Sequence, residues 1–290
     1  MKIGCYNYNI DQKVFESNYL SQWIEKNNDI VIVSLQELDM TKEGCTQGNK
    51  KSQLGLEWKK NLLETLNQIN ASQNNQYDCI EMEEMGSVGI YFFCKTTLTS
   101  EISSVETRYL PFGVEGSATK GCVCISCTIQ NKQFVFISSH LEAHDFNLQK
   151  RNDQYHLIKE KIQFSHGNIF NCDYLFWMGD LNYRVDLDDQ KVRELIEQND
   201  INKLLEHDQL LVNKRTNGIF EEMNEGIISF KPTFKTIIGS NGYSTQRTPS
   251  FCDRVLYYSR NSNVIVEKYC SYPSLLGSDH YPISCQFLLK

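Results

Sequence analysis

Apolar residues in this chain gather into short runs separated by polar, turn-rich stretches. Runs crowded with Val, Ile, Phe and Tyr at 2–8, 30–35, 88–94, 121–130, 133–139, 173–178, 254–259, 263–269 and 282–289 read as β-strands. Stretches at 12–26, 54–70, 147–164, 188–198 and 201–211 read as helices; in 54–70, Leu56, Leu62, Leu63, Leu66 and Ile69 recur near the helical period. Runs 121–130 and 133–139, joined through Asn131 and Lys132, predict a hairpin and therefore a mixed sheet. Many strands with interleaved helices predict an α/β sandwich: two mixed β-sheets inside, helices outside. No repeat or low-complexity linker breaks the pattern, so residues 1–290 are expected to form a single domain. The irregular stretch 221–252, with Gly226, Pro232, Gly239, Gly242 and Pro249, is a candidate substrate loop.

The polar positions at strand ends change the picture. The apolar run 174–178 stops at Gly179, and Asp180 and Asn182, two apart, follow on one face. A carboxylate can accept a proton or hold a metal; a carboxamide can orient a water or a phosphate oxygen. Similar groups stand beside five other runs: Asn7-Tyr8-Asn9, Gln36-Glu37, Ser138-Ser139-His140, Cys252-Asp253-Arg254 and Gly277-Ser278-Asp279-His280. One such group is explained by caps and turns; six carrying Asn, Glu, His and Asp form a candidate constellation. Glu37, directly after a buried strand, suits a hard cation such as Mg²⁺, though a solvated strand end has the same appearance. His140 and His144 have the i, i+4 spacing of some zinc sites, but His-Leu-Glu-Ala-His lacks a Glu in second place. Phosphate contact by His140 is the better reading, and His144 is equally a satisfied structural histidine. His280, with Asp279 beside it and Asp253 elsewhere, fits a histidine held protonated by a carboxylate.

Composition is that of an ordinary soluble globular protein, 40% apolar and 22% charged. A net charge of −7 disfavours non-specific attraction to nucleic acid or acidic membranes, so an anionic substrate needs a local basic cluster. The 11 cysteines are odd in number, and Cys94, Cys122, Cys124, Cys127 and Cys285 sit inside apolar runs. They read as buried free thiols of a reducing compartment. A cysteine-phosphatase loop is absent, because Cys79 and Cys172 are followed six residues on by Met85 and Met178 instead of Arg. The N-terminal residues lack a signal-peptide pattern, no apolar run approaches 18 residues, and the last residues carry no lipidation signal. The expected location is cytoplasmic, with peripheral contact at the inner membrane face left open.

Two motifs carry a resemblance. Phe176-Trp177-Met178-Gly179-Asp180-Leu181-Asn182-Tyr183-Arg184 and Arg247-Thr248-Pro249-Ser250-Phe251-Cys252-Asp253-Arg254-Val255-Leu256 resemble the signatures of the inositol polyphosphate 5-phosphatases, within the endonuclease/exonuclease/phosphatase superfamily. Supporting matches follow in the family's order: Tyr6 to Asn9, Leu35-Gln36-Glu37, Thr119-Lys120-Gly121, Ser139 to His144 with Arg151-Asn152, Phe230 to Lys235, and Ser278-Asp279-His280. Three departures stand out. Phe251 replaces the usual Trp, Gln246 replaces a basic residue, and the glycine-rich segment before Lys120 is reduced to Phe112-Gly113-Val114-Glu115-Gly116-Ser117-Ala118. The last two bear on lipid contacts and substrate preference, not on the chemistry.

The resemblance implies a deoxyribonuclease I-like four-layer fold and Mg²⁺-dependent hydrolysis of the 5-phosphate of inositol polyphosphates or phosphoinositides. It assigns Glu37 and Asn9 to Mg²⁺ and Asp180 to orienting and deprotonating the attacking water. Asn182 would position that water or a phosphate oxygen. His280, supported by Asp253 or Asp279, would donate to the phosphate, as would His140 and Asn7. Lys120, Lys235 and Arg247 would grip neighbouring ring phosphates, the 4-phosphate above all. Arg184, Arg254 and Asp173 read as structural. The expected partner is the substrate, with no nucleic acid and a monomeric chain. Alternatives are a nuclease on the same fold, which the absence of a Lys/Arg-rich stripe opposes, and an inactive phosphoinositide-binding adaptor, which the complete polar set opposes. The shortness of the chain leans slightly toward soluble substrates or weak peripheral access to a membrane.

Overall fold

A computed structural model describes residues 1–46, 51–73, 75–113 and 117–290. Of the shortened segment 112–118, residues 114–116 lie outside the described residues. The strands are β1 (Lys2–Asn9), β2 (Ile30–Gln36), β3 (Tyr77–Met85), β4 (Val88–Lys95), β5 (Ile102–Pro111), β6 (Gly121–Ile129), β7 (Lys132–His140), β8 (Gln163–Phe164), β9 (Gly167–Asn168), β10 (Tyr174–Asp180), β11 (Asn224–Glu225), β12 (Thr236–Ile237), β13 (Ser240–Tyr243), β14 (Asp253–Ser259), β15 (Val264–Ser271) and β16 (Ile283–Leu289). The helices are α1 (Ser17–Leu20), α2 (Lys42–Thr46), α3 (Gln53–Asn70), α4 (Leu148–Lys161), α5 (Asp189–Glu197), α6 (Ile201–Glu206) and α7 (Gln209–Asn217).

Two six-stranded sheets, ordered β15-β16-β1-β2-β4-β3 and β11-β14-β10-β7-β6-β5, pack face to face. Each is mixed: β1 runs parallel to β2 and β7 parallel to β10, while the other neighbours are antiparallel. The central strands read as unbroken apolar runs because both their faces are buried. In β2, Ile30 and Ile32 face the inter-sheet core, while Val31, Val33 and Leu35 face the layer of α3, with its Trp58, Leu62 and Leu66. In β10, Phe176 and Met178 face inward, and Leu175 and Trp177 meet Tyr155 and Ile158 of α4 and Leu210 of α7. Helices therefore cover both outer faces, giving the four-layer arrangement.

Several elements depart from the sequence reading. Edge strands β3 and β5 were not expected, because Tyr-Asp-Cys-Ile-Glu-Met-Glu-Glu-Met and Ile-Ser-Ser-Val-Glu-Thr-Arg-Tyr-Leu-Pro mix charge into half-exposed positions. The expected helix 12–26 shrinks to Ser17–Leu20. There Asn18 and Ser21 bond nearby backbone groups and compete with the helix. Stretch 201–211 is two helices, because Asp208 caps α7 by accepting from Leu211 N at 3.0 Å. Leu56, placed on the apolar face of 54–70, is exposed. The β6–β7 hairpin turns one residue earlier than expected, at Gln130 and Asn131, both with left-handed φ of 50° and 63°.

Candidate active site

The site arises where strands end. In the second sheet, Asp180 is the register partner of His140 on one side and Asp253 on the other, so three polar residues stand in a row. In the first, parallel pairing sets Asn9 against Gln36, with Glu37 one residue beyond. Gly179 permits this crowding: a Cβ there would lie 2.0 Å from the Ser139 carbonyl oxygen. Glu37, His144 and Asn182 all adopt positive φ, of 56°, 73° and 56°, an unusual backbone state for non-glycine residues.

Two asparagines bind the sheets together beneath the site. Asn9 Nδ2 donates to Glu37 Oε1 and to Asp180 Oδ2, each at 3.2 Å. Asn7 Nδ2 donates to Asp253 Oδ1 at 3.1 Å, and its Oδ1 accepts from Ser34 Oγ and Gln36 Nε2 at 2.8 and 2.9 Å. His280 Nδ1 meets Asp253 Oδ2 at 2.8 Å, and Thr233 Oγ1 donates to that same oxygen at 2.6 Å. The Nε2 of His280 stands 3.8 Å from Asp180 Oδ2, and His140 Nε2 stands 3.3 Å from it. Lys120 Nζ contacts His140 Nε2, whose ring partner Nδ1 has no hydrogen-bond partner.

The charges follow from this packing. Burial disfavours an imidazolium at His280, but Asp253 and Asp180 outweigh it and push the group up to about 10. Burial raises the Asp253 carboxyl, so the pair shares one proton, which the second carboxylate, Asp180, draws to the ring. Burial likewise works against ionised Asp180, yet His280, His140 and Lys120 hold it well below the usual carboxylate range. His140 is lowered by burial and by Lys120, and stays neutral. The result is a fixed imidazolium and a fixed carboxylate side by side.

These groups open into a cavity of about 330 Å³ lined by Asp11, Glu37, Lys120, His140, Ala143, His144, Asp180, Asn182, Arg184, Phe234, Lys235, Arg247, Asp279 and His280. Nine of the twelve residues given catalytic, metal or phosphate-binding roles from sequence share this one space, although they span positions 37 to 280. A larger cavity, about 780 Å³ against Phe230, Tyr243 and Tyr281, is lined by no carboxylate or imidazole among the described residues.

Several roles change. Asn7, Asn9 and Asp253 lie beneath the floor, fully buried, and support the groups above them. Asn7, given to the phosphate in the sequence reading, is fully buried and donates to Asp253. Of the two carboxylates offered for His280, Asp253 meets its Nδ1 at 2.8 Å, while Asp279 pairs with Lys235 at 3.2 Å. Arg184, read as structural, lines the cavity. Its Nη2 donates to Asn182 Oδ1 at 2.7 Å, and its guanidinium carbon sits 4.7 Å above the Phe234 ring. Its place two residues after Asn182, at the end of the same motif, was the signal available. Arg254 is structural as expected, clamped between Asp208 and Glu225. Arg151 shapes the wall by donating to the Glu142 and His144 carbonyls at 3.0 and 2.7 Å.

The Asp180, Asp253 and His280 ligand atoms cluster within 4.8 Å. Two of these groups already meet each other, His280 Nδ1 and Asp253 Oδ2 at 2.8 Å. Glu37 fits a metal better. Its carboxylate faces the cavity, meets Asn9, and has no Lys or Arg within ion-pair distance among the described residues. An oxygen donor at the wall of a polar cavity, outside ion-pair distance of any Lys or Arg among the described residues, suits a hard divalent cation.

Two mixed sheets in four layers, with carboxylates, amides and histidines converging at strand ends, define the deoxyribonuclease I-like endonuclease/exonuclease/phosphatase class. Residues 6–286 match the model of Endonuclease/Exonuclease/phosphatase family 2, and the chain belongs to that family. It is 30% identical over 300 residues to the type II inositol 1,4,5-trisphosphate 5-phosphatase of Mus musculus, covering 98% of this chain and 29% of that protein. It is 32% identical over 301 residues to the polyphosphatidylinositol phosphatase INP53 of Saccharomyces cerevisiae, covering 99% and 26%. The chain thus spans less than a third of the length of these curated relatives. Among solved structures, it resembles the inositol polyphosphate 5-phosphatase domain of SPsynaptojanin in complex with inositol (1,4)-bisphosphate and calcium ion. That match has a TM-score of 0.88 and 29% identity, over 99% of this chain and 83% of that one.

Proposed function

We propose that this protein hydrolyses the 5-phosphate of inositol polyphosphates or phosphoinositides with Mg²⁺. One observation carries the reading: the His280–Asp253 pair, His140, Asp180, Asn182 and Glu37 converge on one small cavity with Lys235 and Arg247 at its wall. The printed substrates of the relatives, and the inositol bisphosphate of the SPsynaptojanin complex, support the inositol ring as substrate.

In this reading a water oxygen bonds to phosphorus, the bond from phosphorus to the ring oxygen breaks, and one proton of the water ends on that ring oxygen. Asp180 orients the water by accepting its hydrogen bond. A carboxylate held so firmly ionised is a weak base, but a loose phosphoryl-transfer transition state asks mainly for positioning and charge stabilisation. His280 supplies a permanent imidazolium to the phosphate oxygens, and Asn182, fixed by Arg184, presents its amide. Glu37, with Asn9 behind it, would hold Mg²⁺, which when bound neutralises phosphate charge and assists the leaving oxygen. Lys235 and Arg247 read a neighbouring ring phosphate. No cysteine nucleophile enters: Cys252, buried beneath the site, is pushed further up by burial and stays a thiol.

We place the protein in the cytoplasm, a reading supported by its eleven free cysteines, nine of them buried. Exposed Phe146, Ile237 and Ile238, close in sequence to the cavity-lining His144 and Lys235, support peripheral contact with a membrane surface. A net charge of −7 and the narrow cavity speak against nucleic acid. The test is release of phosphate from inositol 1,4,5-trisphosphate and from the matching lipid, each with and without Mg²⁺. Turnover of at least one supports the reading; turnover of neither refutes it.

A further inference from the structure

The cavity of about 780 Å³ shares no lining residue with the catalytic one. Its size is that of a small-molecule pocket. Its walls are aromatic: Phe230 and Tyr281 are buried, and Tyr243 is half-buried, edge-on to Tyr281 at 6.4 Å. These walls are fixed from behind. Phe230 packs edge-on against Tyr269 at 5.0 Å. The Tyr243 hydroxyl donates to the Pro232 carbonyl at 2.7 Å, and Tyr281 N donates to the Thr233 carbonyl at 2.9 Å. Walls held by their own contacts cost an occupant little ordering.

The polar lining carries one sign of charge. Lys231 is exposed at the cavity edge and, among the described residues, makes no ion pair or hydrogen bond. Asn241 and Ser274 are exposed beside it, and their side chains make no hydrogen bond among the described residues. A cationic ligand would find no carboxylate here, and a polyanion would find only one ammonium. In a chain of net charge −7, a lone ammonium beside aromatic walls selects an apolar body that ends in one negative group.

We propose that this cavity is a second ligand site, which takes a small aromatic molecule bearing a single anionic group. The rings of Phe230, Tyr243 and Tyr281 receive the aromatic body, and Lys231 with Asn241 and Ser274 receives the anion. The site stands independently of the 5-phosphatase reading. It lies close to the catalytic cavity along the chain: residues 230–235 run from one to the other, and Tyr281 follows His280.

The dye 8-anilinonaphthalene-1-sulfonate is such a molecule, and N-phenyl-1-naphthylamine is the same body without the sulfonate. Fluorescence titration with each, on the unmodified protein, Lys231→Met and Ser274→Trp, tests the site. The unmodified protein is expected to bind the sulfonate about tenfold more tightly than the uncharged molecule, as one charged contact predicts. In Lys231→Met that preference disappears. In Ser274→Trp, whose indole occupies the cavity, both molecules bind about tenfold more weakly or not at all. A misfolded variant would gain dye signal instead of losing it, because exposed core surface binds the dye. Saturating inorganic phosphate, at matched ionic strength, leaves the titration unchanged. Displacement by phosphate would put the dye in the catalytic cavity and overturn the proposal. So would absence of binding by the unmodified protein, a sulfonate preference that survives Lys231→Met, or undiminished binding by Ser274→Trp.

Discussion

Arg184 grips Asn182 twice: its Nη2 donates to the side-chain Oδ1 at 2.7 Å and its Nε to the main-chain oxygen at 3.0 Å. Asn182 Nδ2 donates in turn to the Leu141 carbonyl at 3.0 Å, so the amide is fixed at both ends. Arg184 therefore positions Asn182. Arg184→Met is expected to lower kcat about 100-fold with KM little changed, the cost of misplacing an aligned group. Arg184→Lys restores little, because an ammonium cannot reproduce a planar two-point grip. Steady-state kinetics on both variants, with melting curves alongside, checks this. A loss confined to KM would contradict it.

Arg254 belongs to the fold despite its place in a signature motif. It bonds Asp208 at 2.9 Å and Glu225 at 2.6 and 2.7 Å, and the Arg254 and Asp208 side chains are fully buried. Removing the cation strands two buried carboxylates. Arg254→Met should cost about 3–5 kcal/mol of stability, read by chemical denaturation. The protein that remains folded keeps its KM.

Glu84 gives a pH dependence away from the site. It is fully buried, accepts from Ser52 N at 3.1 Å, and leaves Oε1 without a partner. Burial pushes its carboxyl from 4.5 up to about 7. A raised carboxyl favours the protonated fold. The benefit is full below the unfolded value of 4.5 and is lost as pH rises through about 7. Glu84→Gln should remove that loss and stabilise the protein at pH 8 by roughly 1–3 kcal/mol, measured as denaturation midpoints between pH 4 and pH 8. Equal pH slopes in variant and parent would rule it out.

How far the sequence reached depends on burial. Strands such as β2 and β10, covered on both faces, announce themselves as continuous apolar runs; β3 and β5 lie at sheet edges, where charged residues are tolerated, and were silent. The site followed the same rule. Residues at strand ends, such as Asp180, Glu37 and His140, were legible because a polar group abruptly ends an apolar run. Partnerships across the sandwich were not. Nothing in the order of residues tells that Asp253 and not Asp279 meets His280 Nδ1, since the bridges of Phe234 to Ser250 and to His280 set those two segments side by side. The partners of Asn7 were hidden for a like reason: its hydrogen bonds run sideways, to Ser34, Gln36 and Asp253.

Membrane contact has its own test. Phe146 is 84% exposed, with its ring parallel to that of cavity-lining His144 at 5.5 Å. Ile237 and Ile238 are 45% and 49% exposed on the hairpin that follows Lys235. Changing all three to Ser should weaken binding to vesicles containing phosphatidylinositol 4,5-bisphosphate by about tenfold, roughly 1.4 kcal/mol, while turnover of inositol 1,4,5-trisphosphate stays at the parent rate. Unchanged vesicle binding would remove these residues from any membrane contact.

The most direct measurement is phosphate release from inositol 1,4,5-trisphosphate by the unmodified protein and by Asp180→Asn, each with Mg²⁺ and with a chelator. The arrangement predicts loss of only the 5-phosphate, dependence on Mg²⁺, and a fall of about 1,000-fold or more in Asp180→Asn. Release that survives the chelator, or an Asp180→Asn variant that retains the parent rate, would contradict the assignment of this cavity as a metal-assisted phosphatase site.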